Sequence, residues 1–523
     1  MNGLTRAWLA GTTLMFASVY GGASCAPAAG ASHAPVASVS SPRRPTERPR
    51  AVLDSGPQVE YWVGQILVPN PACAQITFVL TLTSKEGGWS GTLSMSPGCG
   101  VQGMFEHPLE EVTRTGTSIR FVSPPPPARN IYDLTIDPDG QRATGRLVIG
   151  EVQPVFIRAS RATEAEARNA APRRPQTPVE PLPYERRDVT ITTLGPGRDL
   201  VGVLTMPRRE PVGEGKAAAV PAVVLLPDED ATDVDHTEGT HKSGAVLADL
   251  LTRRGIAVLR CAAPGTGFDT GSYLSSSMED AGRDAAGMAA YLAGINGVDP
   301  TRVGIVGRGE GALVAARAAE KNNRIGFVVL MAPSAAPWRD VLVARERRQL
   351  EAQGEDPAYA RARVERFERI LALAASQKQD DLAKVLEEDY EIQKTQGRAM
   401  GFLNTFQQRD MIQVQIDYYL TPRILSRLNE NAGEHLGSIS APVLLLAAER
   451  DMAVPPSLLG GAESALKSGG NSRVTSKTLP GLNHWFQPCV SGFADEHDSI
   501  ETTVAPSVAD VIVEWIQSSA GAK

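Results

Sequence analysis

The sequence has few aromatic residues, no basic stripe and, beyond residues 1–25, no apolar run long enough to cross a membrane. Aromatic residues make up 5% of the 523 residues, and 59 acidic residues are intermixed with 52 basic ones for a formal net charge of −7. Nucleic-acid binding requires clustered basic side chains. The composition therefore argues against a nucleic-acid partner, and leaves only the N-terminus as a contact with membranes.

Cysteine is also scarce. None of the five cysteines shows the paired short spacing of a zinc site, and we expect neither a metal nor another cofactor. Cys73 and Cys99 fall in the same N-terminal region and are the candidate disulfide pair in an oxidising compartment. The alternative is that both are free, buried thiols.

The first 25 residues have the layout of a secretory signal peptide: an early Arg6, an apolar stretch over 7–20 and a cleavage region of small residues. This cleavage region ends at Cys25 and resembles a bacterial lipobox, although Gly22 stands where leucine is usual, three positions before the cysteine. We expect export, either as a periplasmic or outer-membrane lipoprotein acylated at Cys25 or as a plain secreted protein. A retained anchor is disfavoured because the apolar run is short.

Two segments rich in Ala, Pro and Arg divide the remaining chain. Residues 26–50 lack apolar periodicity and are interpreted as a disordered tether, and residues 161–183 as a disordered linker. Between them, residues 51–160 contain short stretches of alternating apolar and polar residues separated by turns. The predicted strands are 76–83, 91–95, 118–122, 131–136, 144–149 and 155–158. This pattern predicts a small all-β sheet or barrel.

Residues 184–520 alternate continuous apolar runs with helical stretches, which predicts a doubly wound, mostly parallel α/β sheet. Segments 189–192 and 200–205 form the expected antiparallel opening pair. The expected buried strands are 222–226, 256–259, 303–306, 327–331 and 443–446. Residues 338–436 follow helical spacing instead and are interpreted as a cap over the carboxyl ends of the strands. The alternative is a helical insertion packed away from any site.

The clearest chemical motif follows the strand VGIV at 303–306, where GRGEG at 307–311 leads directly into a helix-forming run. A strand, a tight glycine-rich turn and a helix form the nucleophile elbow, whose G-x-S-x-G pattern holds a serine above the sheet. Here Gly309 stands at the serine position. Glycine has no atom that can attack a carbonyl, so the standard acyl-enzyme route is absent.

This region resembles bacterial α/β-hydrolases of the esterase and serine-aminopeptidase type, whose elbow reads G-H-S-E-G-G and several of which carry an N-terminal β module. The motifs that carry the resemblance are GIAVLR at 255–260, EG at 310–311, VLLL at 443–446, ERD at 449–451, VPP at 454–456, and LPGLNH at 479–484 with FQP at 486–488. The resemblance implies that Asp451 is the triad acid and His484 the general base. Both follow Gly309 in the chain order of the fold.

The loop expected to supply oxyanion donors also departs from that family. It reads Pro227-Asp228-Glu229, in which proline lacks an N–H and carboxylates would oppose a developing negative charge. Together with Arg308 and Glu310, which flank Gly309, Pro227 and Asp228 form the predicted oxyanion region.

Two functions remain open from the sequence. The first is a pseudo-hydrolase that lacks the nucleophile and binds a small ester or acyl ligand, or a protein partner. The second is an active hydrolase of esters or acyl peptides that uses His484-activated water or a substitute nucleophile, with Glu310, Ser334 and Cys489 as candidates. We favour the first.

Overall fold

The computed structural model describes most of the chain from residue 58 to residue 519. The described residues are 58–67, 76–86, 88–95, 104–123, 130–149, 155–170, 174–192, 199–208, 218–229, 231, 233–264, 271–396 and 405–519. The predicted signal peptide, the tether and Cys25, Cys73 and Cys99 lie outside them. Among the described helices, none has both the length and the apolar character that a membrane span requires.

The N-terminal module is a nine-stranded antiparallel sheet that nearly closes into a barrel, so the predicted all-β module is confirmed. Its strands are β1 (Val59–Leu67), β2 (Ile76–Lys85), β3 (Gly88–Met95), β4 (Met104–Pro108), β5 (Glu110–Thr115), β6 (Ser118–Ser123), β7 (Asn130–Ile136), β8 (Arg142–Ile149) and β9 (Val155–Ala162). The strand order is β4-β3-β2-β1-β9-β8-β7-β6-β5. The two edge strands, β4 and β5, are joined by Leu109 alone.

Aromatic side chains fill the interior of this module. Trp62, Phe78, Phe121 and Tyr132 are all buried, and the rings of Phe121 and Tyr132 stack with their centroids 4.5 Å apart. These residues alternate along their strands with outward-facing ones, as a period of two requires. The module is therefore held by a side-chain core.

The segment after the module is ordered in its described part, which differs from the disordered linker expected for 161–183. Helix α1 covers Glu164–Ala170, and residues 174–183 pack on the following domain. The buried Arg174 donates hydrogen bonds to the backbone oxygens of Asp498 (2.6 Å) and Ile500 (3.2 Å), and Gln176 donates one to that of Val504 (2.8 Å). Composition alone predicted disorder, because these long-range partners are not visible in a local window.

An eight-stranded mixed sheet forms the centre of the second domain and confirms the predicted α/β-hydrolase architecture. It contains β10 (Tyr184–Thr192), β11 (Asp199–Pro207), β12 (Val220–Leu226), β15 (Ala257–Cys261), β16 (Val298–Arg308), β17 (Phe327–Met331), β18 (Val443–Ala448) and β19 (Val474–Leu479). The order is β10-β11-β15-β12-β16-β17-β18-β19, parallel from β15 onward. A small hairpin, β13 (Thr237–Glu238) and β14 (His241–Lys242), lies apart from this sheet.

Helices cover this sheet, and a helical insertion separates β17 from β18. The helices of the domain are α2 (Ser243–Thr252), α3 (Gly271–Leu274), α4 (Met278–Ala293), α5 (Glu310–Ala319), α12 (Leu459–Ser468) and α13 (Pro506–Ser519). The insertion contains α6 (Trp338–Ala352), α7 (Pro357–Ala375), α8 (Gln379–Thr395), α9 (Thr405–Tyr419), α10 (Pro422–Leu428) and α11 (Ala432–Gly437). It occupies the stretch in which the helical cap was predicted.

The central strands are apolar and buried on both faces. Every residue of β12, β15, β17 and β18 is buried, which fixes these strands in one hydrophobic core and leaves their ends to carry function. The loops at the carboxyl ends of β12, β16, β18 and β19 carry Asp228, Gly309, Asp451 and His484, respectively. Because parallel strands end at one edge, the fold brings these four residues together.

Candidate functional site

The turn between β16 and α5 has the backbone shape of a nucleophile elbow. Gly309 has φ +52° and ψ −115°, and its N–H donates to the carbonyl oxygen of Met331 on the neighbouring strand at 3.0 Å. The turn is tight, because a Cβ at Gly311 would lie 2.3 Å from the carbonyl oxygen of Pro227. The chain thus keeps the strained elbow, with Gly309 at its apex.

The carboxylate of Asp228 fills the space above Gly309. Its Oδ1 accepts hydrogen bonds from the backbone N–H groups of Glu229 and Glu310, both at 2.8 Å, and its Oδ2 lies 2.7 Å from Nε2 of His484. A Cβ on Gly309 would lie 2.1 Å from Oδ1 of Asp228. The loop after β12 therefore places a carboxylate where a side chain at position 309 would otherwise stand.

His484 and Asp451 lie together, as expected for two members of a triad. Nδ1 of His484 is 2.7 Å from Oδ2 of Asp451, whose Oδ1 accepts the N–H groups of Ala453 (2.8 Å) and Val454 (2.7 Å). The acid is thus fixed by its own loop, and the acid in turn orients the imidazole. Both ring nitrogens of His484 are engaged by carboxylates.

This arrangement holds a charged imidazolium between two anions. Burial opposes the charge, but the carboxylates of Asp451 and Asp228 outweigh burial and raise the pKa of His484 to about 10. Burial also tends to raise the pKa of Asp228, yet His484, Arg308 and the N–H of Glu310 hold that pKa well below its usual range. Near neutral pH, His484 therefore donates a proton to each neighbour and offers no lone pair to a substrate.

The two N–H groups that donate to Asp228 bear on what we expect of the oxyanion loop. We expect an altered oxyanion loop because Pro227 lacks an N–H and carboxylates oppose a negative charge; in the structure, the N–H groups in this region that bind a carboxylate are those of Glu229, two residues after the proline, and of Glu310. The missing N–H of Pro227 is therefore irrelevant. Both N–H groups point to one carboxylate oxygen, that of Asp228.

Arginines from the cap bind the acidic residues around this centre. Arg427 on α10 lies 2.6 Å from Glu229 and 2.8 Å from Glu310, and Arg345 on α6 lies 2.9 Å from Glu229. Arg423 pairs with Glu310 as well. These ion pairs tie two cap helices to the oxyanion loop and to the start of α5.

The same contacts bury the predicted centre. Asp228 and His484 are 7% exposed, and Asp451 and Glu310 are 2% exposed. Arg308 is buried too, with its Nε 3.7 Å from Oδ2 of Asp228. Charged side chains of the protein itself thus occupy the crevice in which a substrate would react.

The three candidate substitute nucleophiles are engaged elsewhere. Glu310 is neutralised by Arg423 and Arg427, and the Oγ of the buried Ser334 accepts the N–H of Ala336 at 3.0 Å. Burial raises the pKa of the Cys489 thiol, whose Sγ contacts the carbonyl oxygen of Gly481 at 3.5 Å. Both ring nitrogens of His484 are bound to carboxylates rather than to the side chains of Ser334 or Cys489.

A second titratable cluster, which the sequence did not reveal, lies beside the loop that follows His484. Ligand atoms of His241, His497 and Asp498 lie within 4.8 Å of one another, as a metal site would require. Oδ1 of Asp498, however, accepts the N–H and the hydroxyl of Thr240, both at 2.8 Å, and lies 3.8 Å from the Arg174 guanidinium. The cluster is therefore satisfied within the protein and disfavours a cation.

Comparison with known proteins identifies the family of this chain. The Alpha/beta hydrolase family matches residues 223–496, just over half of the chain. The protein therefore belongs to the alpha/beta hydrolase family. Over 215 residues it is 27% identical to Esterase EstD of Thermotoga maritima, a match that covers 40% of this chain and 46% of that esterase. The chain thus aligns with about half the length of this curated relative.

Two solved peptidases are similar in structure at low sequence identity. Pyrococcus horikoshii acylaminoacyl peptidase is 11% identical with a TM-score of 0.40, covering 84% of this chain and 62% of its own. A Mycobacterium tuberculosis puromycin-hydrolyzing peptidase is 12% identical with a TM-score of 0.43, covering 85% and 60%. The family assignment rests on the sequence match.

Proposed function

We propose that this protein is an exported, non-catalytic member of the alpha/beta hydrolase family that acts by binding a partner. The observation that carries this proposal is the position of the Asp228 carboxylate, which lies over Gly309, in the oxyanion donors and against His484. One side chain thus occupies the places of the nucleophile and of the developing oxyanion.

Serine-hydrolase chemistry needs three elements at this centre: a nucleophile, vacant oxyanion donors and a histidine that accepts a proton. Gly309 supplies no nucleophile, and the N–H groups of Glu229 and Glu310 are filled. A pKa of about 10 keeps His484 protonated at neutral pH, so it activates neither a side chain nor water. Each observation independently supports the absence of turnover.

The filled crevice also bears on what the protein binds. An ester or acyl ligand in the triad crevice would displace the buried ion pairs that Arg427 forms with Glu229 and Glu310. Breaking buried, paired charges is costly. A partner at the protein surface is therefore better supported than a small ligand at the triad.

The test uses the purified full-length protein with a fluorophosphonate probe and with p-nitrophenyl acetate. We expect no stoichiometric labelling, and no ester turnover that the His484→Ala variant abolishes. An unrelated serine esterase serves as the positive control for both reagents. Labelling, or turnover lost in His484→Ala, would establish the alternative of an active hydrolase.

Export and lipidation are part of the same proposal and rest on the sequence of residues 1–25. In cells fed labelled palmitate, we expect the wild-type protein to take up label and Cys25→Ser to lose it. Label that persists in Cys25→Ser would refute acylation at Cys25, and a protein retained in the cytoplasm would refute export.

A further inference from the structure

A large groove lies at the edge of the α/β sheet opposite the triad. Its volume is about 940 Å³, within the upper range of small-ligand pockets. Its walls are α4, the first residues of β16 and the loops that precede the parallel strands β17, β18 and β19. Because the triad loops follow the carboxyl ends of these strands, the groove and the triad occupy opposite ends of the sheet.

The charge of this groove is of one sign. Three arginines line it, namely Arg283, Arg324 and Arg473, and no aspartate or glutamate is among its lining residues, all of which the structure describes. This contrasts with a chain whose formal net charge is −7. The groove therefore presents a positive surface on an acidic protein.

Two of these arginines lack an acidic partner within the described part of the chain. Arg283 pairs with Asp280, whereas the guanidinium of Arg473 donates to the carbonyl oxygen of Ser440 at 2.6 Å, and Arg324 is exposed with no ion pair to a described residue. Arg324 lies five residues past the end of α5, and Arg473 lies five residues past the end of α12. Compensation of a helix dipole extends only over the last turn and does not account for them.

Small side chains make up much of the groove lining. Ala286, Gly287, Ala289, Ala290 and Ala293 of α4 are among the lining residues, as are Thr301 and Ser440, which carry hydroxyl groups. Small side chains leave room for a backbone to approach the helix, and arginine forks bind carboxylates in bidentate fashion. Shape and charge together suit an extended peptide with acidic side chains.

We propose that this groove binds an acidic peptide segment of a partner protein, with Arg324 and Arg473 as the residues that contact its carboxylates. The inference deepens the proposed binding function by giving it a surface and a partner chemistry. It does not depend on the contents of the triad crevice, so the two proposals fail separately.

The test measures fluorescence anisotropy of a fluorescein-labelled peptide, Glu-Ala-Glu-Ala-Glu-Ala, with the full-length protein. The control peptide has glutamine in place of glutamate. We expect saturable binding of the acidic peptide that weakens with salt, and affinity about tenfold or more lower in Arg324→Glu and in Arg473→Glu. Arg347→Glu, an exposed arginine on α6, is the matched control and should change affinity less than about twofold, as expected for a distant surface charge.

Circular dichroism first establishes that each variant is folded. Folding is expected because Arg324, Arg473 and Arg347 are all exposed. Absence of saturable peptide binding, or equal weakening by Arg347→Glu, would overturn the proposal. Stoichiometric competition by inorganic phosphate at constant ionic strength would also overturn it, since the site would then bind a small anion. If the protein neither binds the peptide nor reacts with the fluorophosphonate, peptide binding at the groove is refuted and the non-catalytic proposal still stands.

Discussion

Replacing Gly309 by serine tests the central observation, because the new side chain would enter space that Asp228 occupies. An ideal Cβ at position 309 lies 2.1 Å from Oδ1 and 2.4 Å from Cγ of Asp228, well inside van der Waals contact. A flexible carboxylate could rotate away. This one is held by two backbone N–H groups and by His484, so its movement breaks all three hydrogen bonds.

The expected loss of stability follows from those contacts. A hydrogen bond to a charged group contributes about 1.5–3 kcal/mol, and serine at a positive φ costs about 1–2 kcal/mol. If new partners recover part of the three hydrogen bonds, the free energy of unfolding should fall by about 4–7 kcal/mol. That loss is comparable with the whole stability of many domains. We therefore expect Gly309→Ser to accumulate poorly or to unfold at much lower urea.

A double-mutant cycle separates the clash from the backbone strain. In the Asp228→Ala background the obstructing atoms are gone, so Gly309→Ser should cost only the φ strain, about 1–2 kcal/mol. The coupling energy should therefore be at least about 2 kcal/mol. Urea unfolding followed by tryptophan fluorescence gives the four values. Gly481→Ser, at φ +67° with open space around it, is the control for φ strain alone. Equal costs of Gly309→Ser in both backgrounds would refute the reasoning.

Three further predictions concern the same charged centre. His484 should remain protonated at pH 8 in an NMR titration because its pKa is raised to about 10, and titration near pH 6.5 would contradict this. The stabilising contribution of the charged ring is full below about pH 6.5 and is lost as pH rises toward 10. A His484→Gln variant should therefore show a flatter dependence of Tm on pH over that range. Arg427→Met should lower the free energy of unfolding by about 1.5–3 kcal/mol because it removes one of the two arginines that bind the buried Glu310 and one of the two that bind the half-buried Glu229, against less than about 0.5 kcal/mol for the exposed Arg347→Met. Asp228→Gly should bind acetate in the vacated donors, so that acetate raises the Tm of this variant and leaves that of the wild type unchanged; equal shifts would argue against a vacated site.

Much of the fold could be predicted because burial on both faces leaves a strong local pattern. The apolar run 327–331 coincides with β17, and 222–226 and 443–446 lie within β12 and β18. Strand β19 has no comparable pattern, because its residues VTSKTL are mostly half-buried or exposed at an edge of the sheet. An edge strand carries a weak pattern, because its neighbours in space decide its conformation.

The site was predictable in part for a related reason. Gly309, Asp451 and His484 follow motifs whose positions the sequence fixes relative to strands, and the structure brings all three to one edge of the sheet. Asp228 was placed in the oxyanion region, but the direction of a loop carboxylate is not encoded in a local pattern. One feature of the sequence does point to this contact. The two departures from the family, Gly309 for the nucleophile and Asp228 in the facing loop, fall at positions that meet in the fold.

Those two departures complement each other in volume and in hydrogen bonding. Loss of the serine alone would leave Nε2 of His484 and two backbone N–H groups buried beside an empty space, and unpaired buried donors cost about 1–3 kcal/mol each. The carboxylate of Asp228 satisfies all three donors and fits only because Gly309 lacks a side chain. The same group thus satisfies the buried donors of the centre and fills the space beside Gly309.

The non-catalytic proposal predicts which substitutions would confer esterase activity. Gly309→Ser alone should remain inactive toward p-nitrophenyl acetate, because the displaced Asp228 carboxylate stays beside the new hydroxyl and competes with the substrate for the two backbone N–H groups and with the serine for His484. Asp228→Ala with Gly309→Ser frees both N–H groups, returns a hydroxyl and removes one of the two carboxylates that raise the pKa of His484. We expect this double variant to hydrolyse the activated ester slowly, since the arginines of the cap still bind Glu229 and Glu310 over the crevice. Adding His484→Ala to it is the control and should abolish that activity. Turnover in the Gly309→Ser single variant equal to that of the double variant would show that Asp228 does not block the site.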